Sequence, residues 1–147
     1  MKKLRPNYKL VEWSSPNDLH RETLLWISEL QFIKDEISFL NSLVENYTLK
    51  LISGEVYKKS FQVISELSKE SAQLKEILKR VRVHNNELEI LVDGKDEIEK
   101  EKEFKESHYQ LKIEMLNYLE NFRKTKKEIF LLIKRIMKKQ KQKRLLN

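Results

Sequence analysis

The sequence predicts an all-α fold, an antiparallel up-down-up bundle of three long helices with coiled-coil-like packing, and three observations support that prediction. Only 2 Gly and 2 Pro punctuate the 147 residues, too few for the many turns of a strand-rich fold. Charged residues reach 36% while 39% stay hydrophobic, a mixture that builds a core only when the apolar residues gather on one face. Those residues recur at alternating spacings of three and four, the period of a helix buried along one stripe.

The first long helix opens at Ser15-Pro16-Asn17-Asp18. Ser15 serves as N-cap, Pro16 takes the first helical position, where its missing N–H costs nothing, and Asp18 reaches back to the cap. Thr23, Trp26, Leu30, Ile33, Ile37, Leu40, Val44 and Tyr47 form its stripe, and Gly54 ends it in the left-handed cap position. The second stripe runs Ile64, Leu67, Ser71, Leu74, Leu78, Val81, Asn85, Leu88 and Val92, flanked by Val63, Ile77, His84 and Leu91. Asp93-Gly94 turns the chain, and a capping box from Asp96 to Glu99 opens the third helix. Its stripe is Phe104, His108, Leu111, Met115, Tyr118, Phe122, Thr125, Ile129, Leu132 and Ile136. The expected helices are 16–52, 55–92 and 96–139, inside a bundle covering 15–139. Residues 1–14, with Tyr8, Leu10, Val11 and Trp13, are expected as a non-helical arm against the bundle, and 140–147 as a basic C-terminal tail.

Composition removes most enzyme templates. Two glycines build neither a dinucleotide fingerprint nor a Walker loop, and with no cysteine there is no disulfide framework, thiolate zinc site or cysteine nucleophile. The longest purely apolar run, Ile129 to Ile133, falls far short of the roughly 20 residues of a membrane span. The basic start, Met1-Lys2-Lys3-Leu4-Arg5-Pro6, lacks the apolar stretch of a signal peptide, so a cytoplasmic setting is expected.

The basic character is local. Lys134, Arg135, Lys138, Lys139, Lys141, Lys143 and Arg144 fall within the last 14 residues, with no acid among them, and their removal takes the net charge from +7 to 0. Such a stripe suits the phosphates of nucleic acid or an anionic membrane surface. The alternative is a solvated helix end. No aromatic residue follows Phe130, so a base-stacking platform is missing.

His84 and His108 lie among apolar residues of the second and third helices. Counting outward from the turns places His84 level with Thr23 and with Phe104, one helical turn from His108, so the two imidazoles approach each other. Glu22, Glu29 and Glu36 recur every seven residues beside the first stripe. Their structural role is to pair across the bundle with Lys112 or Lys126 and fix register. His84, His108, Glu22 and Glu29 are the candidate ligands of a divalent metal, a chemistry that suits a bundle core. Against it, the Glu-x-x-His pattern of ferritin-like di-metal bundles is absent. The preferred reading is a core histidine satisfied by Glu, Asn85 or Tyr. His20 is expected to be exposed, and Trp13 and Trp26 to pack in the core or under the arm.

Glu22 followed by Trp26-Ile27-Ser28-Glu29-Leu30-Gln31-Phe32-Ile33-Lys34-Asp35-Glu36, then His84 with Glu87-Leu88, then His108 with Leu111, resembles the uncharacterised small helical-bundle proteins of Bacteroidota over most of 19–136. The resemblance brings no activity with it. Similar chains can carry histidine where this one has Thr23, which favours a polar or metal-binding layer in the group; Thr23 departs from that three-histidine pattern. The leading expectation is a non-enzymatic interaction or scaffold protein that binds a protein partner or itself, without cofactor or small-molecule substrate. The alternatives are a metal-binding His/Glu bundle and a polyanion binder acting through the basic C-terminus.

Overall fold

The computed structural model describes residues 4–48, 55–93 and 98–146. Four helices pack against each other, α1 (Tyr8–Glu12), α2 (Pro16–Thr48), α3 (Glu55–Asp93) and α4 (Ile98–Leu146). No strand occurs among the described residues, and none of their helices is long and apolar enough to cross a membrane.

The first difference from expectation is α1, which lies in the segment expected to be non-helical. Asn7 starts it: its side chain accepts from the Lys9 amide at 3.0 Å and so satisfies a free donor of the first turn. Val11 is buried with Leu19, Leu88 and Phe104. Trp13, expected to pack, is 75% exposed instead, with Lys9 Nζ 5.9 Å from its ring centroid. The arm is nevertheless anchored on α4. The Tyr109 hydroxyl donates to the Pro6 carbonyl at 2.8 Å, the Leu4 amide donates to Asn117 Oδ1 at 2.9 Å, and Lys105 Nζ donates to the Glu12 carbonyl at 2.6 Å.

α2 begins at the expected capping box. The Ser15 amide donates to Asp18 Oδ2 at 3.3 Å and the Asp18 amide to Ser15 Oγ at 3.1 Å. Hydrogen bonds to the carboxylate from the Ser15 side chain and from its amide, with the Arg21 charge, hold the Asp18 carboxyl below its usual range. The expected end of this helix at Ile52, the cap at Gly54 and the turn and capping box around Gly94 and Asp96 lie outside the described residues. α4 stays helical to Leu146, through residues expected as a tail. Lys, Arg, Gln and Leu are good helix formers, and Lys143 and Arg144 in the last turn complement the negative end of the helix dipole.

Two compact units form, Met1–Ile33 with Gln73–Leu119 and Lys34–Ala72 with Glu120–Asn147. The first buries Trp26, Leu30, Val81, Leu88 and Met115, and the second Leu40, Val44, Leu67, Ile129 and Ile136. Each fully buried aliphatic side chain is worth roughly 1.5–3 kcal/mol of transfer free energy. The α4 stripe is buried throughout as expected, and so is that of α2 up to Val44. On α3 the buried line sits to one side of the expected one: Val63, Leu67, Glu70, Leu74, Ile77, Val81, His84 and Leu88 face inward, while Ile64, Ser71 and Leu78 are half-buried. The flank is therefore the core, and it carries two polar residues, Glu70 and His84.

Candidate functional site

Three helices each give one residue to a buried polar chain in the first unit. α2 supplies Glu22, α3 supplies His84 and α4 supplies His108, whose ring is wholly buried. His84 Nε2 lies 3.0 Å from His108 Nδ1, and His108 Nε2 lies 2.8 Å from Glu22 Oε1. The second oxygen of Glu22 accepts from Lys112 Nζ at 3.3 Å. The stripes bring these residues inward, and flat neighbours fix the rings. Trp26 stacks on His108 and Phe104 on His84, each with centroids 4.5 Å apart.

The carboxylate sets the protons. Glu22 only accepts, so His108 Nε2–H donates to it. With both rings neutral, His108 Nδ1 is then a lone pair, and His84 Nε2–H must donate to it. The chain thus runs one way, His84 to His108 to Glu22, with His84 Nδ1 as its outer acceptor. The pKa shifts follow this arrangement. Glu22 is held below the usual carboxylate range, chiefly by the hydrogen bond from His108 and further by the Lys112 charge, against the opposing effect of burial. Burial, with His108 beside it, pushes His84 down to about 4.

Of the four candidate metal ligands, the structure brings together His84, His108 and Glu22. Glu29 is exposed and stands apart from them. The facing ring nitrogens are engaged with each other and the remaining one on His108 with Glu22, so the carboxylate sits behind His108 and orients its ring. Among the described residues no group of three or more His, Asp or Glu gathers as an ion would require. Glu36, third of the heptad series, pairs in the second unit with Lys126, and Glu22 pairs with Lys112.

Further polar burial involves Thr125 and Asn85 of the expected stripes and glutamates beside them. Thr125 Oγ1 donates to Glu70 Oε1 at 2.6 Å in the second unit, and burial raises the Glu70 carboxyl despite that bond. Glu66 is raised by burial and then by its hydrogen bond with the neighbouring Glu128. Asn85 Oδ1 and His20 Nδ1 are buried without a hydrogen-bond partner among the described residues, and His20 is half-buried where exposure was expected. Thr125 and Asn85 stand on the expected stripes, and Glu66 and Glu70 lie beside the expected line of α3.

The seven cations Lys134, Arg135, Lys138, Lys139, Lys141, Lys143 and Arg144 are all exposed on helical α4. Beside them, Tyr47, Lys134, Met137, Lys138, Lys141 and Arg144 line an open recess of about 800 Å³ in the second unit. No family model, curated protein or solved structure matches the chain.

Proposed function

We propose that this chain is a non-enzymatic, cytoplasmic helical module that works by binding macromolecules, its three long helices arranged as an up-down-up bundle with coiled-coil-like packing. Two ion pairs support the arrangement: Glu22–Lys112 and Glu36–Lys126 share a separation of 90 residues, as parallel α2 and α4 require. Across α3, His84 faces His108 and Arg80 faces Glu114, so residue numbers fall on one helix as they rise on the other. The polar chain of the first unit turns its atoms on one another, which suits a device for helix register.

The observation that carries the interaction reading is the outer face of α2. Leu25, Phe32 and Phe39 follow each other every seven residues and are 60%, 69% and 61% exposed. Residues at that interval fall in one row, which gives a second helix one of the two apolar positions per heptad of a seam. Aromatic side chains so placed mark contact surfaces more often than free surface. The partner that fits is a second copy, because an isologous contact lets the same row serve both sides. Sedimentation velocity from low to high micromolar concentration tests this. Wild type is expected to associate and the Phe32→Glu, Phe39→Glu variant to sediment as a monomer with unchanged helix content; a wild type that stays monomeric throughout overturns the reading.

A further inference from the structure

The row on α2 leaves the other end of the charge distribution unused. From Lys134 onward α4 carries seven cations and no acid, which equals the whole net charge of +7, and it holds them on a helix that continues to Leu146. At about 100° per residue, Lys134, Met137, Lys138, Lys141, Arg144 and Leu145 fall within one arc of roughly 120°, opposite the buried Leu132 and Ile136. This outer face is not purely ionic. Met137 is 52% and Leu145 77% exposed, each next to cations of the same arc, and Phe130 and Leu131 extend the apolar part towards the N-terminus of the helix.

We propose that this face of α4 docks on an anionic lipid bilayer surface, Lys134, Lys138, Lys141 and Arg144 holding headgroup phosphates while Met137 and Leu145 enter the headgroup–acyl boundary. Charge complementarity selects the partner class and the interleaved apolar residues select within it. A basic helix is drawn to anionic lipid by its charge, and exposed Met137 and Leu145 among the cations add apolar surface that can be buried at the interface. Long Lys and Arg side chains can lie along apolar surface and keep their charges at the phosphates. The open recess between Tyr47 and the four cations gives one headgroup room to sit among them. Nucleic acid uses the charges equally well but leaves Met137 and Leu145 in water.

The test is flotation of the full chain with vesicles of phosphatidylcholine alone or mixed with phosphatidylglycerol, at low and high salt, beside anisotropy titrations with duplex DNA and single-stranded RNA. Two variants at exposed positions, checked for helix content by circular dichroism, separate the contributions. Lys138→Gln, Lys141→Gln, Arg144→Gln removes three charges, and Met137→Ser, Leu145→Ser removes the apolar part without adding charge. The expected result is binding to the anionic vesicles only, weakened by salt. At about fivefold per cation, the charge variant loses on the order of a hundredfold, and the apolar variant also binds less. Binding to nucleic acid without vesicles, binding to neither, or vesicle binding that the apolar variant keeps in full overturns the proposal. Because the Phe32→Glu, Phe39→Glu variant leaves this face intact, it is expected to float normally, which separates failure here from failure of the self-association reading.

Discussion

Acid is the perturbation to which the Glu22–His108–His84 chain is most sensitive. Burial lowers His84 from 6.5 to about 4, and His108 beside it adds to the fall. A histidine depressed in this way takes up its proton more readily in the unfolded chain. Its contribution to stability is therefore complete above pH 6.5 and is lost as pH falls from there towards 4. With about 1.36 kcal/mol per pKa unit, the loss between about pH 8 and pH 5 comes to about 2 kcal/mol. Glu22 acts in a lower window, because its carboxyl is already held below 4.5; the stability it adds is present above 4.5 and disappears only below it. The assay is urea unfolding at several pH values, followed by circular dichroism and by Trp26 emission in a Trp13→Phe background. His84→Gln is the reference, since its amide can still donate to His108 but cannot titrate. Wild type should lose about 2 kcal/mol over that range and the variant little of it. An equal slope in both, or a flat wild type, refutes the reasoning. Should the variant not fold, proton-coupled NMR of the wild-type imidazoles serves instead, and the absence of a ring still neutral near pH 5 is the refuting result.

Further outcomes follow from burial and capping. Trp26→Ala should cost about 3–5 kcal/mol, because the ring is buried against His108, whereas Trp13→Ala, mostly exposed, should stay within about 0.5 kcal/mol; comparable losses in denaturant titrations would contradict the assigned positions. Ser15→Ala removes one half of the α2 cap and should cost about 1 kcal/mol, read as a lower melting temperature. Glu66→Gln should raise stability, and more at pH 8 than at pH 5. The raised Glu66 pKa means the folded state favours the protonated carboxyl, so wild-type stability falls as pH rises past 4.5. Thermal melts showing a loss, or a gain independent of pH, would rule out this account of the Glu66–Glu128 pair.

Periodicity made most of the fold legible. α4 has one stripe with no competing face, so each residue from Phe104 to Ile136 in the expected line is buried. α3 offered two adjacent lines, one through Ile64, Ser71 and Leu78 and one through Val63, Glu70 and Ile77, and apolar counting favours neither clearly. The structure takes the second although it brings Glu70 and His84 inward. Both find partners on α4, at Thr125 and His108, and a buried polar group that is hydrogen-bonded loses little of what it would lose alone. The polar residues already marked on the α4 stripe were the signal for that choice. It could be used only by matching two helices, not by reading one. α1 was missed for a simpler reason: Pro6-Asn7 is a start signal, but a five-residue helix has no periodicity to detect.

The heptad series of Glu22, Glu29 and Glu36 shows where reading a single helix stops. All three lie seven residues apart beside the same stripe, yet Glu22 and Glu36 are half-buried in ion pairs and Glu29 is exposed. Their own helix treats them almost alike, since seven residues drift only about 20° around it. The difference comes from across the interface. Counting on from Glu29 by the separation of 90 that joins Glu22 to Lys112 and Glu36 to Lys126 reaches Leu119, which carries no charge. The same register places the polar chain. Glu22 lies at the level of His108 as well as Lys112, one oxygen for each. Shifting α4 by one turn would move His108 about 5 Å along the axis, separating it from both Glu22 and His84. A double-mutant cycle between Glu22 and His108 therefore measures register. Coupling of about 1 kcal/mol or more is expected there, and none between Glu29 and His108.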